Sequence, residues 1–189
     1  VLALQGDFAE HIKMLRQLGV ETVEVRLPAQ LDGLDGLILP GGESTTIGKL
    51  CVDYGLQQPL QEFGQKHAMW GTCAGAILLS RDARRSQPLL GLMDIRVTRN
   101  AFGRQVASFE ADLEIEALKQ VTNSTAPYHA FFIRAPIIES VQGTAQVLAS
   151  LPDGRIVAAR QGLLLATSFH PELTADTRFH EYFLSLVNK

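Results

Sequence analysis

The sequence predicts an α/β fold of three layers, a mainly parallel central sheet flanked by helices, with an antiparallel addition in its second half. Three observations predict it. Over residues 1–80 short apolar runs alternate with amphipathic helical stretches, so that strands are joined by crossovers and lie parallel. "GLILP" (36–40) and "AMW" (68–70) have no polar face, as strands covered on both sides require. The later runs alternate or are rich in β-branched and aromatic residues, which marks antiparallel pairing.

Taken in order, "VLALQ" reads as a strand. Asp7 with Glu10 forms a capping box for a helix whose apolar face holds Leu15 and Leu18 and which Gly19 ends. "ETVEVR" is the next strand, stopped by Pro28, and "GLILP" the one after. Following "GGEST", a helix is expected from Thr46 to Tyr54 with Gly55 beyond it, and another from Pro59 to Lys66 before the "AMW" strand. "DIRVTRN", "SFEADLEI" and "FFIRAPII" read as strands, and "QVLASLPDGRIVAARQG" as a hairpin turning at Pro152-Asp153-Gly154. "LLLATSF" is a further buried strand and Thr177 to Val187 a closing helix. With no repeat or linker in 189 residues, one domain spanning 1–189 is expected.

The net charge of -3 and pI near 6.0 give no reason to expect nucleic acid or an anionic membrane surface as a partner. No apolar run approaches the roughly 20 residues that span a bilayer, and no signal-peptide pattern is present. Val1 already stands inside an apolar run, so residues are expected ahead of it. Two cysteines, Cys51 and Cys73, are too few for a disulfide framework. Reduced thiols and a cytoplasmic location are expected, with a single bridge as the alternative. No Cys or His pair has metal-ligand spacing, so neither metal nor cofactor is expected.

Gly71-Thr72-Cys73-Ala74-Gly75 has the form of a nucleophile elbow, where small neighbours permit a strained strand-to-helix turn. The helix start favours thiolate, and the Ala74 N–H is placed for an oxyanion. A small buried cysteine on a glycine-rich loop is the competing reading. "SFHPEL" offers the base: His170 follows a buried strand, at the edge where open α/β sheets keep their sites, and Glu172 can fix its tautomer. Alone, His-x-Glu reads as two unrelated surface residues; with the elbow it completes Cys–His–Glu. In "LPGGEST" the glycines let the backbone approach a ligand, with an oxyanion donor at Gly42 and an acidic group, Glu43, for a substrate ammonium. A phosphate loop is excluded, because five residues separate Gly42 from Gly48 and Leu50 stands where Ser or Thr is needed. Arg99 and Arg134 are candidates for a carboxylate, against the alternative of solvated surface arginines. Cys51 reads as core, His11, His67 and His180 as surface residues, and His129 has no role.

"LALQGDFAEH", "LILPGGESTT", "GTCAGAILL", "RNAFGRQ", "FFIRAP", "RIVAARQG" and "SFHPEL" occur in the order seen in the glutaminase subunits of pyridoxal 5'-phosphate synthase. The chain resembles this branch of the triad (class I) glutamine amidotransferases, with their flavodoxin-like fold, over essentially its whole length. The resemblance implies Cys73 as nucleophile, His170 as acid/base and Glu172 as its orienting carboxylate. It implies L-glutamine contacts at Gly42, Glu43, Ser44, Arg99, Ile133 and Arg134. It also implies a partner, the synthase subunit, a barrel enzyme in a large hetero-oligomeric complex that receives ammonia for vitamin B6 synthesis. The glutaminase is then weak until docked, and the Gly41-Gly42 turn is a plausible place for a switch. Ala101, where the branch has serine, and the "TNSTAPYHA" stretch depart from the family's pattern. The alternatives are another triad glutaminase subunit or γ-glutamyl hydrolase, or a docking subunit without activity.

Overall fold

Three apolar runs end at the same edge of one sheet, and that coincidence builds the site. The computed structural model describes residues 1–99 and 108–187; Ala101 and the rest of "NAFGRQ" lie outside them. In chain order the first elements are α1 (Phe8–Gln17), β1 (Gly36–Leu39), α2 (Ser44–Asp53), α3 (Gln57–Gly64), β2 (Ala68–Thr72), α4 (Ala74–Leu79), β3 (Ser80–Asp82) and β4 (Met93–Thr98). Then come β5 (Ser108–Leu113), α5 (Glu116–Lys119), β6 (Tyr128–Ile133), β7 (Ile137–Val141), β8 (Gln146–Ser150), β9 (Ile156–Gln161), β10 (Leu164–Thr167) and α6 (Arg178–Val187). Short 3₁₀ turns occupy Pro28–Leu31 and Pro171–Leu173.

β2 lies between β1 and β10, parallel to both, with Gly71 opposite Leu39 on one side and Ala166 on the other. The antiparallel addition continues from β10 through β9 and β7 to β4, with β3 parallel to β4 at the far edge and β8 paired to β9. Among the described residues the sheet is therefore mixed, parallel where the first half of the chain builds it. β5 and β6 form a separate antiparallel pair.

Successive strand residues face opposite sides, and both sides are apolar. Leu37, Leu39, Met69, Leu164 and Ala166 join one core, under α2, α3 and α4. Ile38, Ala68, Trp70 and Leu165 join the other, under α1 and α6. This gives the three layers expected of the fold. No helix of the described residues is long and apolar enough to cross a membrane.

Several local expectations are corrected. "VLALQ" and "ETVEVR" reduce to a single parallel bridge, Leu2 to Val25, with the Leu2 N–H bonded to Ile38 O at 2.9 Å. The first run leaves the sheet early because Gln5 and Asp7 bond the turn after β1, and the second is an edge whose Val23 is exposed. Asp7 stands at the α1 N-cap, but with φ -86° and ψ 40° its side chain makes no capping bond, so no capping box forms. "FFIRAPII" breaks into two strands in different sheets, with Arg134 at φ +43° and Pro136 unable to donate to a ladder. His11 and His180, expected at the surface, are fully buried. Each lies on the inward stripe of its helix, with Leu15 four residues after His11 and Phe183 three after His180, and the two rings share a hydrogen bond.

Candidate active site

Cys73 occupies the bend between β2 and α4 at φ +48° and ψ -101°, a conformation that costs a residue with a Cβ about 1–3 kcal/mol. Its neighbours make the bend possible. A Cβ on Gly75 would lie 2.0 Å from the Leu39 carbonyl oxygen, so only glycine lets α4 start this close to β1. The Cys73 N–H donates to Thr167 O at 2.8 Å, which ties the elbow to the end of β10. Both cysteines are free: Cys51 is in the core, as expected, and Cys73 lines a cleft of about 580 Å³.

His170 enters from the carboxyl end of β10, its N–H bonded to Phe131 O at 2.9 Å. Nδ1 lies 2.7 Å from Glu172 Oε1, so it is the donor, and the other ring nitrogen is left for Cys73, which lines the same cleft. Burial opposes charge on this imidazole, but its bonds to Cys73 and Glu172, and their charges, prevail and raise it to about 10. The Glu172 side chain is fully buried in the Pro171–Leu173 turn, which raises its carboxyl, while the bond to His170 works against that rise. Asp7 Oδ2 stands 3.6 Å from His170 Nδ1, with its carboxyl raised by partial burial and lowered by His170. Donor atoms of Asp7, His170 and Glu172 fall within 4.8 Å of one another, close enough for an ion, but the 2.7 Å His170–Glu172 bond already uses two of them.

The turn after β1 forms the facing wall. The Glu43 N–H donates to Gln5 Oε1 at 2.8 Å and the Asp7 N–H to Gly41 O at 3.0 Å. Gly42 sits at φ +152°, where a Cβ would lie 2.6 Å from Gln5 Oε1. Gln5, Gly6 and Asp7 line the cleft too, a role the strand reading of "VLALQ" concealed. Their signal was a polar Gln-Gly-Asp between an apolar run and a helix.

All nine other predicted residues apart from Glu172 line this one cleft: Cys73, Ala74, His170, Gly42, Glu43, Ser44, Arg99, Ile133 and Arg134. Their freedom differs. Glu43 caps α2 through Thr46 N–H at 2.7 Å, accepts from Thr45 Oγ1 at 2.8 Å, and pairs with Arg99 Nη2 at 2.7 Å. Desolvation pushes its carboxyl up, but these donors outweigh that and hold it at about 2. Ser44 is buried, with Oγ 3.3 Å from Gln87 Oε1. Arg134 is exposed and makes no hydrogen bond or ion pair among the described residues. Among the described residues it is the free cation of the cleft.

Known proteins resemble this chain in sequence and fold. The family model described as the SNO glutamine amidotransferase family matches residues 1–189. A protein named pyridoxal 5'-phosphate synthase subunit PdxT from Herpetosiphon aurantiacus is 58% identical, over 98% of each chain. Its namesake from Moorella thermoacetica is 56% identical, over 99% of this chain and 97% of its own. A solved structure titled glutamine amidotransferase is 49% identical with a TM-score of 0.91, covering 100% of this chain and 97% of its own. The PurLQS structure from Thermotoga maritima, at 16% identity and a TM-score of 0.72, shares the fold. With a match over all 189 residues and relatives more than half identical along nearly their whole length, the chain belongs to the SNO glutamine amidotransferase family.

Proposed function

We propose that this chain hydrolyses L-glutamine to L-glutamate and ammonia, and delivers the ammonia to a synthase subunit that makes pyridoxal 5'-phosphate. The observation that carries the reading is that Cys73 and a His170 bonded to Glu172 stand together on the wall of a cleft faced by the Gly42 turn. His170, raised to about 10, already carries the thiol proton, and the Cys73 thiolate attacks the carboxamide carbon, forming a tetrahedral oxyanion. The N–H groups of Gly42 and Ala74 meet that oxygen; losing one such donor typically costs ~10²–10³ in rate. His170 returns its proton to the departing nitrogen, ammonia leaves, and a glutamyl thioester remains. His170 then accepts a proton from water as its oxygen attacks the thioester, and glutamate and the thiol are released. Glu172 keeps Nδ1 protonated throughout, so the other nitrogen is the one that shuttles.

Arg134 receives the substrate carboxylate, with Ile133, Ser44 and the Glu43–Arg99 pair completing the contacts. No lysine lines the cleft among the described residues, and a Schiff base with a sugar phosphate has no place there. That chemistry falls to the partner, in keeping with relatives that are named as subunits of a synthase.

The test is ammonia release by the wild type and Cys73→Ala, each with and without the synthase subunit. Release by the wild-type complex and none by Cys73→Ala is expected. Equal release by both sinks the mechanism, and release by neither favours a docking subunit without activity.

A further inference from the structure

Behind the triad, and outside the cleft, two buried histidines have no part in the mechanism above. His11 on α1 and His180 on α6 are both fully buried, with His11 Nδ1 3.0 Å from His180 Nε2. His11 Nε2 points at Thr72 Oγ1, 3.2 Å away, and lies 3.3 Å from Glu172 Oε2. Thr72 is the residue before the nucleophile. Glu172 Oε2 is the oxygen that His170 does not use, and it completes no hydrogen bond among the described residues, so His11 Nε2 approaches it at 3.3 Å without bonding it.

Only one proton can lie between the two rings, which leaves two tautomer patterns. If His11 carries it on Nδ1, the lone pair of its Nε2 faces a carboxylate oxygen. His180 must then carry its own proton on Nδ1, where no acceptor exists among the described residues. If His180 carries it on Nε2, His11 Nδ1 accepts and His11 Nε2–H faces Thr72 and Glu172. His180 Nδ1 then presents only a lone pair, which is less costly to bury than an unpaired N–H.

We infer that His180 and His11 are positioning residues: the pair locks His11 as the Nε2–H tautomer, and that N–H bonds Thr72 Oγ1 and sets its positive end against the second oxygen of Glu172, steadying Glu172 and through it the His170 ring. This rests on the acid/base reading of His170. Burial lowers His180 to about 4; burial, together with repulsion from His180, His170 and the Val1 amino group, holds His11 well below its ordinary value, so both are neutral at neutral pH. The charges facing the pair are the Glu172 carboxylate, the His170 imidazole and, further off, the Val1 amino group. Trp70, 5.6 Å from His11 and 4.9 Å from His180 between ring centroids, packs edge-on against both.

A purely structural pair would cost stability alone, so the test uses readouts that stability does not move. The rate of Cys73 alkylation by iodoacetamide is followed against pH in the full chain, and glutamine kcat and KM are measured in the complex with the synthase. His11→Leu removes the donor; His11→Gln restores an N–H near Nε2; His180→Leu frees the tautomer only. The inference expects His11→Leu to shift the alkylation pH profile and to lower kcat ~10- to 100-fold, the range usual for a hydrogen-bond partner behind a functional histidine. KM should stay within about twofold. His180→Leu should move the same readouts less, and His11→Gln should return most of the loss. If His11→Leu does not fold, the difference between His11→Gln and His180→Leu carries the test. An unshifted profile with unchanged kcat in folded variants overturns the inference. Failure of the wild-type complex to hydrolyse glutamine instead overturns the proposed function, because the alkylation profile needs no glutamine.

Discussion

Arg99 Nη2 lies 2.7 Å from Glu43 Oε1, so two residues expected to hold the carboxylate and the ammonium of one substrate hold each other. The pair gives the cleft a wall that is neutral overall, and Glu43 is also the cap of α2. Glu43→Gln keeps the shape and loses the charge. It should lower stability by ~0.5–1 kcal/mol, as a weakened cap on a half-exposed residue does. It should also raise glutamine KM ~5-fold with kcat nearly constant, about 1 kcal/mol of binding. Urea unfolding and steady-state kinetics check both, and unchanged values in each contradict the role.

Among the described residues Arg134 is the cleft cation left free, held on its φ +43° bend at the end of β6. Arg134→Lys supplies charge without the planar fork and should raise KM ~10-fold, with kcat within about twofold. A fall in kcat at constant KM would place Arg134 in the chemistry instead of in binding.

Gly75→Ala tests the elbow. The added Cβ would stand 2.0 Å from a backbone oxygen of β1, so α4 must move away from Leu39. A loss of ~1–3 kcal/mol is expected, along with loss of Cys73 alkylation selectivity. Wild-type stability and reactivity in this variant would show that the elbow tolerates a side chain.

The pairing of His170 has a signed pH signature. Its folded value of about 10 lies above its ordinary 6.5, so the stability it contributes is complete below about 6.5 and is lost as pH rises towards 10. The unfolding free-energy difference between wild type and His170→Gln should shrink over that window, measured by urea titration at a series of pH values. A difference that grows with pH contradicts the ion-paired arrangement.

Much of this is legible in the sequence. Apolar runs without a polar face placed β1, β2 and β10, and the residues after them, Gly42, Cys73 and His170, meet because parallel neighbours end at one edge. The elbow was readable because small residues have few other reasons to surround a thiol. What was hidden depends on long-range contact. His11 and His180 are 169 positions apart and become partners only when α1 and α6 pack on the same face. Asp7 looked like a helix cap because local spacing allowed it, but its N-cap backbone angles prevent the capping bond and its carboxylate lies near His170 instead. The strand break at Arg134 was masked by continuous apolar character on both sides of it.

Labelling by a diazo analogue of glutamine in the presence of the synthase subunit, read by peptide mass mapping, tests the central claim most directly. Cys51 serves as an internal control, since burial pushes its thiol up to about 11 and keeps it unreactive. The account predicts one adduct per chain, on Cys73, absent from Cys73→Ala and strongly reduced in His170→Gln. An unmodified Cys73, or an adduct on any other residue, would contradict it.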